Sequence, residues 1–170
     1  LQTFFLRKGY AKTEKETQFI LSVLSDKLLN EPKRSFVGEV NRLSITATCL
    51  LTIGRINERY EVLKKMIEFC DQYPHQIEER LTEYFFNVRV LANQALVLKK
   101  FAYAEQLMER MQALHQKYYA RLALTNRIGH LNIMTNLLLR QGKFTQALTA
   151  IAEMDELASS NRQEPDLVEV

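Results

Sequence analysis

Glycine and proline are scarce. Five glycines and three prolines in 170 residues are too few for an all-β fold, which needs many tight turns. Cysteine is nearly absent: Cys49 and Cys70 make no disulfide framework. Each falls near the apolar face of its helix, where a free, reduced thiol behaves as a small hydrophobe. The apolar opening FFLRKGYA is too short for a membrane span, and no signal-peptide pattern precedes it. The cytoplasm is the expected compartment. Catalytic signatures are missing too. His75, His115 and His130 are scattered, with neither H-E-x-x-H nor C-x-x-C, and there is no Gly-rich phosphate loop or G-x-S-x-G. Carboxylates such as Glu78-Glu79 and Asp155-Glu156 are neighbours in sequence and so diverge on a helix surface. No enzyme activity, metal or cofactor is expected.

What the chain has is a repeat. Its clearest copy is 131–157, LNIMTNLLLRQGKFTQALTAIAEMDEL, which reads as a helix, a tight turn at Gly142 and a second helix. Leu139-Arg-Gln-Gly142 is matched by Leu96-Val-Leu-Lys99, Leu51-Thr-Ile-Gly54 and Leu6-Arg-Lys-Gly9. The turn positions 9, 54, 99 and 142 are separated by 45, 45 and 43 residues, within the ~20–50-residue range that marks stacked supersecondary units. After each turn, Leu21, Met66, Met111 and Met154 form one column. Leu24, Phe69, Leu114 and Leu157 form another, three residues on. The last three copies add Ile56, Phe101, Phe144; Arg59, Ala104, Ala147; and Leu63, Met108, Ile151. Spacings of three and four are those of a buried helix face. Before the turns, the columns are Leu43, Val88, Leu131; Thr46, Leu91, Met134; Ala47, Ala92, Thr135; and Leu50, Ala95, Leu138. The small column has a steric purpose, since helices close to about 8–10 Å only across small side chains.

The pattern predicts an all-α fold, an α-solenoid of stacked antiparallel helix pairs with about seven helices. Residues 1–8 read as the end of a helix whose start is missing. With Leu1 as its first residue, the chain is expected to be a fragment or a processed product. Further helices are expected at 11–30, 35–53, 56–73, 77–98, 101–118, 121–141 and 144–158. Thr13 to Glu16 make a capping box and Pro74 a stop. Residues 1–158 form the repeat domain; 159–170 lack periodicity and read as a flexible tail or linker.

Large-x-x-large-small-x-x-large, then Gly-x-aromatic-x-x-Ala, resembles a tetratricopeptide repeat. Leu131, Met134, Thr135, Leu138, Gly142, Phe144, Ala147, Ile151 and Met154 carry the likeness best. Around Lys99 the turn glycine is replaced, and around Gly54 the aromatic and alanine become Ile56 and Arg59. The period exceeds the usual ~34 residues by about ten. Extended repeats of this kind are similar to those of bacterial regulators whose helical domain binds a signalling peptide or partner. Helix-pair repeats of about 40–47 residues, such as HEAT repeats, are the alternative.

The resemblance implies a non-enzymatic scaffold that binds a protein or peptide segment on its concave face, which the first helix of each pair lines. The candidates there are Asn41, Ser44, Thr48, Arg89, Asn93, Asn132, Asn136 and Arg140. Asn93 and Asn136 occupy the same place in successive repeats, and an amide can both donate to and accept from a peptide backbone. Arg89 or Arg140 can take a carboxylate bidentately. The alternative is a ligand-sensing or oligomerisation domain of a larger bacterial transcriptional regulator, and uncapped solenoid ends would allow a homodimer.

The net charge of +3 matters by position. Lys8, Arg55, Lys100 and Lys143 recur at the turns, so stacking would give a basic edge. Such an edge suits phosphates or an acidic partner. Cations at helix C-termini, where the macrodipole favours them by about 0.3–1 kcal/mol each, are the plainer explanation. Aromatics for base stacking are not interleaved with these charges, so nucleic acid is disfavoured as a partner.

Overall fold

A computed structural model describes residues 13–32 and 35–162, which are helical and contain no strand. The predicted turn at Gly9 and the basic position Lys8 lie outside them. The fold is all-α, with helices packed as successive antiparallel pairs. The chain divides into two compact units, 1–80 and 81–170.

The first unit opens with α1 (Glu14–Ser25). The predicted capping box is in place: Glu16 N–H donates to Thr13 Oγ1 at 3.2 Å, and Thr13 N–H to Glu16 Oε2 at 3.3 Å. The expected helix over 11–30 is broken at Asp26, whose extended backbone separates α1 from the short α2 (Lys27–Asn30). The Asn30 amide causes the fold-back, donating to the Leu24 and Asp26 carbonyls at 2.9 and 3.0 Å. Next come α3 (Phe36–Thr52), capped by Ser35, and α4 (Ile56–Cys70). Phe36, at the start of α3, meets Phe69 and Tyr73, at the end of α4, with ring centroids 5.6 and 5.5 Å apart. Opposite ends in contact make the pair antiparallel. Proline 74 acts as a starter rather than a stop: α4 ends at Cys70, and Pro74 fills the first position of α5 (Pro74–Glu79), where its missing N–H costs nothing. Against this pair α1 lays Ile20 on Cys49, with Val23 and Leu24 beside them. Both cysteines are buried and neither is in a disulfide; burial pushes the Cys49 thiol up to about 11.

The second unit holds α6 (Leu81–Val97), α7 (Phe101–Tyr118), a 3-10 turn (Tyr119–Arg121), α8 (Leu124–Arg140) and α9 (Phe144–Arg162). The single helix expected over 77–98 is interrupted at Arg80, where α5 ends. Helix α8 begins three residues later than expected, because the 3-10 turn occupies 119–121. The two pairs stack through their first helices, α6 against α8. The Asn126 amide, near the start of α8, donates to the Thr82 carbonyl, near the start of α6, at 2.9 Å. Like ends together set α6 and α8 parallel.

The three described turns share one backbone. Gly54, Lys99 and Gly142 all have positive φ, +75°, +58° and +73°. At each, two bonds close a Schellman motif. Gly54 donates to Leu51 and Arg55 to Leu50, Lys99 to Leu96 and Lys100 to Ala95, Gly142 to Leu139 and Lys143 to Leu138. The spacing read from the sequence is therefore a spacing of identical bends. Burial follows the columns in most places: Leu43, Val88, Leu131, Ala47, Ala92, Thr135, Ala104, Ala147, Met66 and Met111 are all buried. Others, such as Leu24, Phe69, Met134 and Leu138, are half-buried, and three members lie open. Phe101, Phe144 and Ile151 are exposed, as is Leu148. Periodicity marks the apolar face of a helix; whether a neighbour covers that face is set by packing. Helix α9 also runs through Arg162 rather than ending at 158. Ser160 turns its hydroxyl back onto the Glu156 carbonyl at 2.8 Å, so the serines stay helical instead of opening the tail. Residues 163–170 of that tail lie outside the described residues. No helix among the described residues is long and apolar enough to cross a membrane.

Candidate functional site

The eight residues predicted on the first helices fall three in the first unit and five in the second. On α3, Asn41 is exposed, while Ser44 and Thr48 are half-buried. The Thr48 hydroxyl is already used, donating to the Ser44 carbonyl at 2.8 Å. Such back-bonding satisfies the hydroxyl inside its own helix and reduces what α3 can offer a ligand.

The second unit offers more. On α6, Phe86, Arg89 and Asn93 follow at helical spacing; on α8, Gly129, Asn132 and Asn136 do the same. Arg89 bridges the two rows. Its guanidinium occupies the space a side chain on Gly129 would need, so a Cβ at Gly129 would collide with it. It also lies over the Phe86 ring, 5.0 Å from the centroid, a cation–π contact. Phe86 itself is 46 % exposed, and Asn93, Asn132 and Asn136 are exposed. Across α8 the Asn136 amide donates to Asn132 Oδ1 at 3.0 Å. That bond fixes both side chains and leaves Asn136 Oδ1 and the Asn132 amide N–H groups for another molecule.

The electrostatics of Arg89 set it apart. Among the described residues no carboxylate pairs with it, and its Nε is buried without a hydrogen-bond partner. Desolvation lowers its pKa from the ordinary arginine value. Arginine nonetheless stays charged, so the site carries a partly desolvated, uncompensated cation, which a carboxylate would satisfy with paired N–H···O bonds. A sequence signal for this arrangement existed in Gly129. A glycine inside a helix costs about 1 kcal/mol against alanine and often marks a close approach.

Arg140 is elsewhere. It follows Gly129 by eleven positions on α8, about 16 Å along the axis, and its guanidinium lies over the Phe101 ring at 5.7 Å. The basic positions Arg55, Lys100 and Lys143 each directly follow a left-handed turn residue. Arg55 faces Glu58 at 3.4 Å, both side chains about half exposed.

Two histidines that look scattered in the sequence come together. His115 on α7 and His130 on α8 have ring centroids 5.2 Å apart. His130 is buried and shares a 2.9 Å hydrogen bond between Nε2 and Gln112 Oε1. Burial, with a smaller effect from His115, pushes the His130 pKa down to about 4. The His115 pKa is also lowered, by burial first; Glu153 opposes that shift and Arg127 adds to it. Both imidazoles are thus neutral around pH 7.

Comparison of the chain with protein-family models, with curated proteins and with solved structures returned no match.

Proposed function

We propose that the chain is a non-enzymatic, tetratricopeptide-like scaffold. It holds an extended segment of a protein partner along α6 and α8, with a carboxylate of that segment on Arg89. The observation that carries this reading is the half-buried Arg89 guanidinium, seated in the Gly129 notch with no carboxylate among the described residues to neutralise it. The exposed amides of Asn93, Asn132 and Asn136 supply donors and acceptors for a peptide backbone. Phe86 offers an exposed apolar surface for a neighbouring side chain. The three turns of one geometry support the kinship with helix-pair repeats.

A peptide array probed with the protein tests it. Selected peptides should carry a free or side-chain carboxylate, and Arg89→Ala should weaken them about 10- to 100-fold, the worth of a charged hydrogen-bonded contact. Asn93→Ala with Asn136→Ala should cost several-fold more. Binders without a carboxylate, or unchanged affinity in a folded Arg89→Ala protein, would sink the reading.

A further inference from the structure

A cleft of about 480 Å³ opens between α7, α8 and α9 in the second unit. It is separate from the Arg89 face. Met108, Leu131, Met134 and Leu138 line it with apolar surface, and His115 and His130 line it as well. Its volume is that of a small-ligand site: concave, mostly apolar, with a few polar groups.

The charged groups share one sign. Glu109 and Glu153 line the cleft, both exposed, and among the described residues no lysine or arginine does. Neither carboxylate forms an ion pair among the described residues. Each imidazole also keeps a buried nitrogen without a partner, Nε2 of His115 and Nδ1 of His130. With the Nε2–H of His130 donating to the Gln112 amide oxygen, His130 Nδ1 holds an unused lone pair. A buried polar atom left unpaired costs free energy, and a bound donor would remove that cost. The carboxylates and the His130 lone pair call for a ligand bearing positive N–H donors; the lining calls for an apolar body.

We propose that this cleft binds a small apolar amine in its ammonium form, the body against Met108 and Met134 and the charge beside Glu109 and Glu153. This does not rest on the Arg89 reading, which calls for a ligand group of opposite sign.

Methyl-detected NMR of the whole chain tests it with three probes of one shape: phenylbutylamine, phenylbutanol and phenylbutyrate. The amine should shift the Met108 and Met134 methyls, leaving Met66 of the first unit unmoved. It should bind about tenfold tighter than the alcohol, as two exposed carboxylates allow, and the acid should bind weakest. Glu109→Gln with Glu153→Gln, at exposed positions that the fold does not need, should bring the amine down to the alcohol. Met134→Trp, which fills the cleft, should abolish both. Equal affinity for amine and alcohol, shifts spread away from Met108 and Met134, or no saturable binding of any probe would overturn the proposal. Tighter binding of acetyl-leucyl-lysine amide than of the amine would also overturn it, since the cleft would then belong to a peptide side chain.

Discussion

Arg42 and Arg89 sit on first helices of their pairs, and their surroundings are opposite. Arg42 is held by Glu39, with Nε donating to Oε2 at 2.9 Å, and its Nη1 donates to the Leu29 carbonyl at 3.1 Å. Both side chains are about 90 % buried. Hydrogen bonding to Glu39 raises the Arg42 pKa in spite of desolvation. Arg89 has a ring and a glycine for neighbours, and desolvation alone lowers its pKa. One cation is spent on the fold, locking α3 to α2. The other is held in place by packing with its charge unspent. Geometry alone thus separates an arginine paired within the fold from one with no carboxylate partner among the described residues.

Breaking the first arrangement should have the largest effect. Glu39→Ala strands Arg42 as a buried charge and should cost about 3 kcal/mol, read by urea denaturation. Glu39→Leu with Arg42→Met should recover most of that loss. A single Glu39→Ala change costing under 1 kcal/mol would show that the pair is not structural.

Acid should come next, acting on the second unit. His130 has a folded pKa of about 4, against an ordinary 6.5. The unfolded chain therefore binds a proton that the folded one refuses, and stability falls as pH drops from 6.5 towards 4. The loss should be roughly 2–4 kcal/mol. Hydrogen exchange should show it on α7 and α8, and His130→Phe should flatten the slope.

The unpaired arginine should then behave unlike the paired one. Arg89→Met keeps the stem and drops the charge, so stability should change by less than about 1 kcal/mol. Arg42→Met takes the guanidinium partner from the buried Glu39 carboxylate and should cost more. Gly129→Ala evicts the guanidinium from its notch, and crystallography of that variant should find the side chain displaced. The smallest effect is local. Lys99→Gly relieves a left-handed backbone and should raise stability by about 0.5–1 kcal/mol, while Gly142→Ala should lower it by a similar amount.

The repeated bends were legible because each leaves a local trace: leucine three positions before the turn, and glycine at two turns of the three. Even Lys99 was placed correctly, by spacing rather than by residue type. The buried columns were legible for the same reason, since Leu43, Val88 and Leu131 recur at fixed offsets. The breaks at Asp26 and Arg80 were not. Neither carries a proline or glycine, and the first depends on a side chain, Asn30, folding back from four residues on. Arg89 and Asn93 could be named as candidates from their positions, but the lack of a carboxylate around Arg89 among the described residues is a fact of three dimensions. His115 and His130 lie on different helices, and only the packing of α7 on α8 brings them together.

The Schellman bends bear on how such a chain tolerates change in length. From Gly54 to Lys99 and from Lys99 to Gly142 the chain uses 45 and 43 residues, yet the bend itself is the same each time. Between pairs the longer link goes with the shorter second helix, and the two links differ in kind: α5 in one place, a 3-10 turn in the other. Insertions should accordingly be absorbed in the links between pairs and rejected at the bends within them. The hairpin works as a fixed joint and the link as an adjustable spacer.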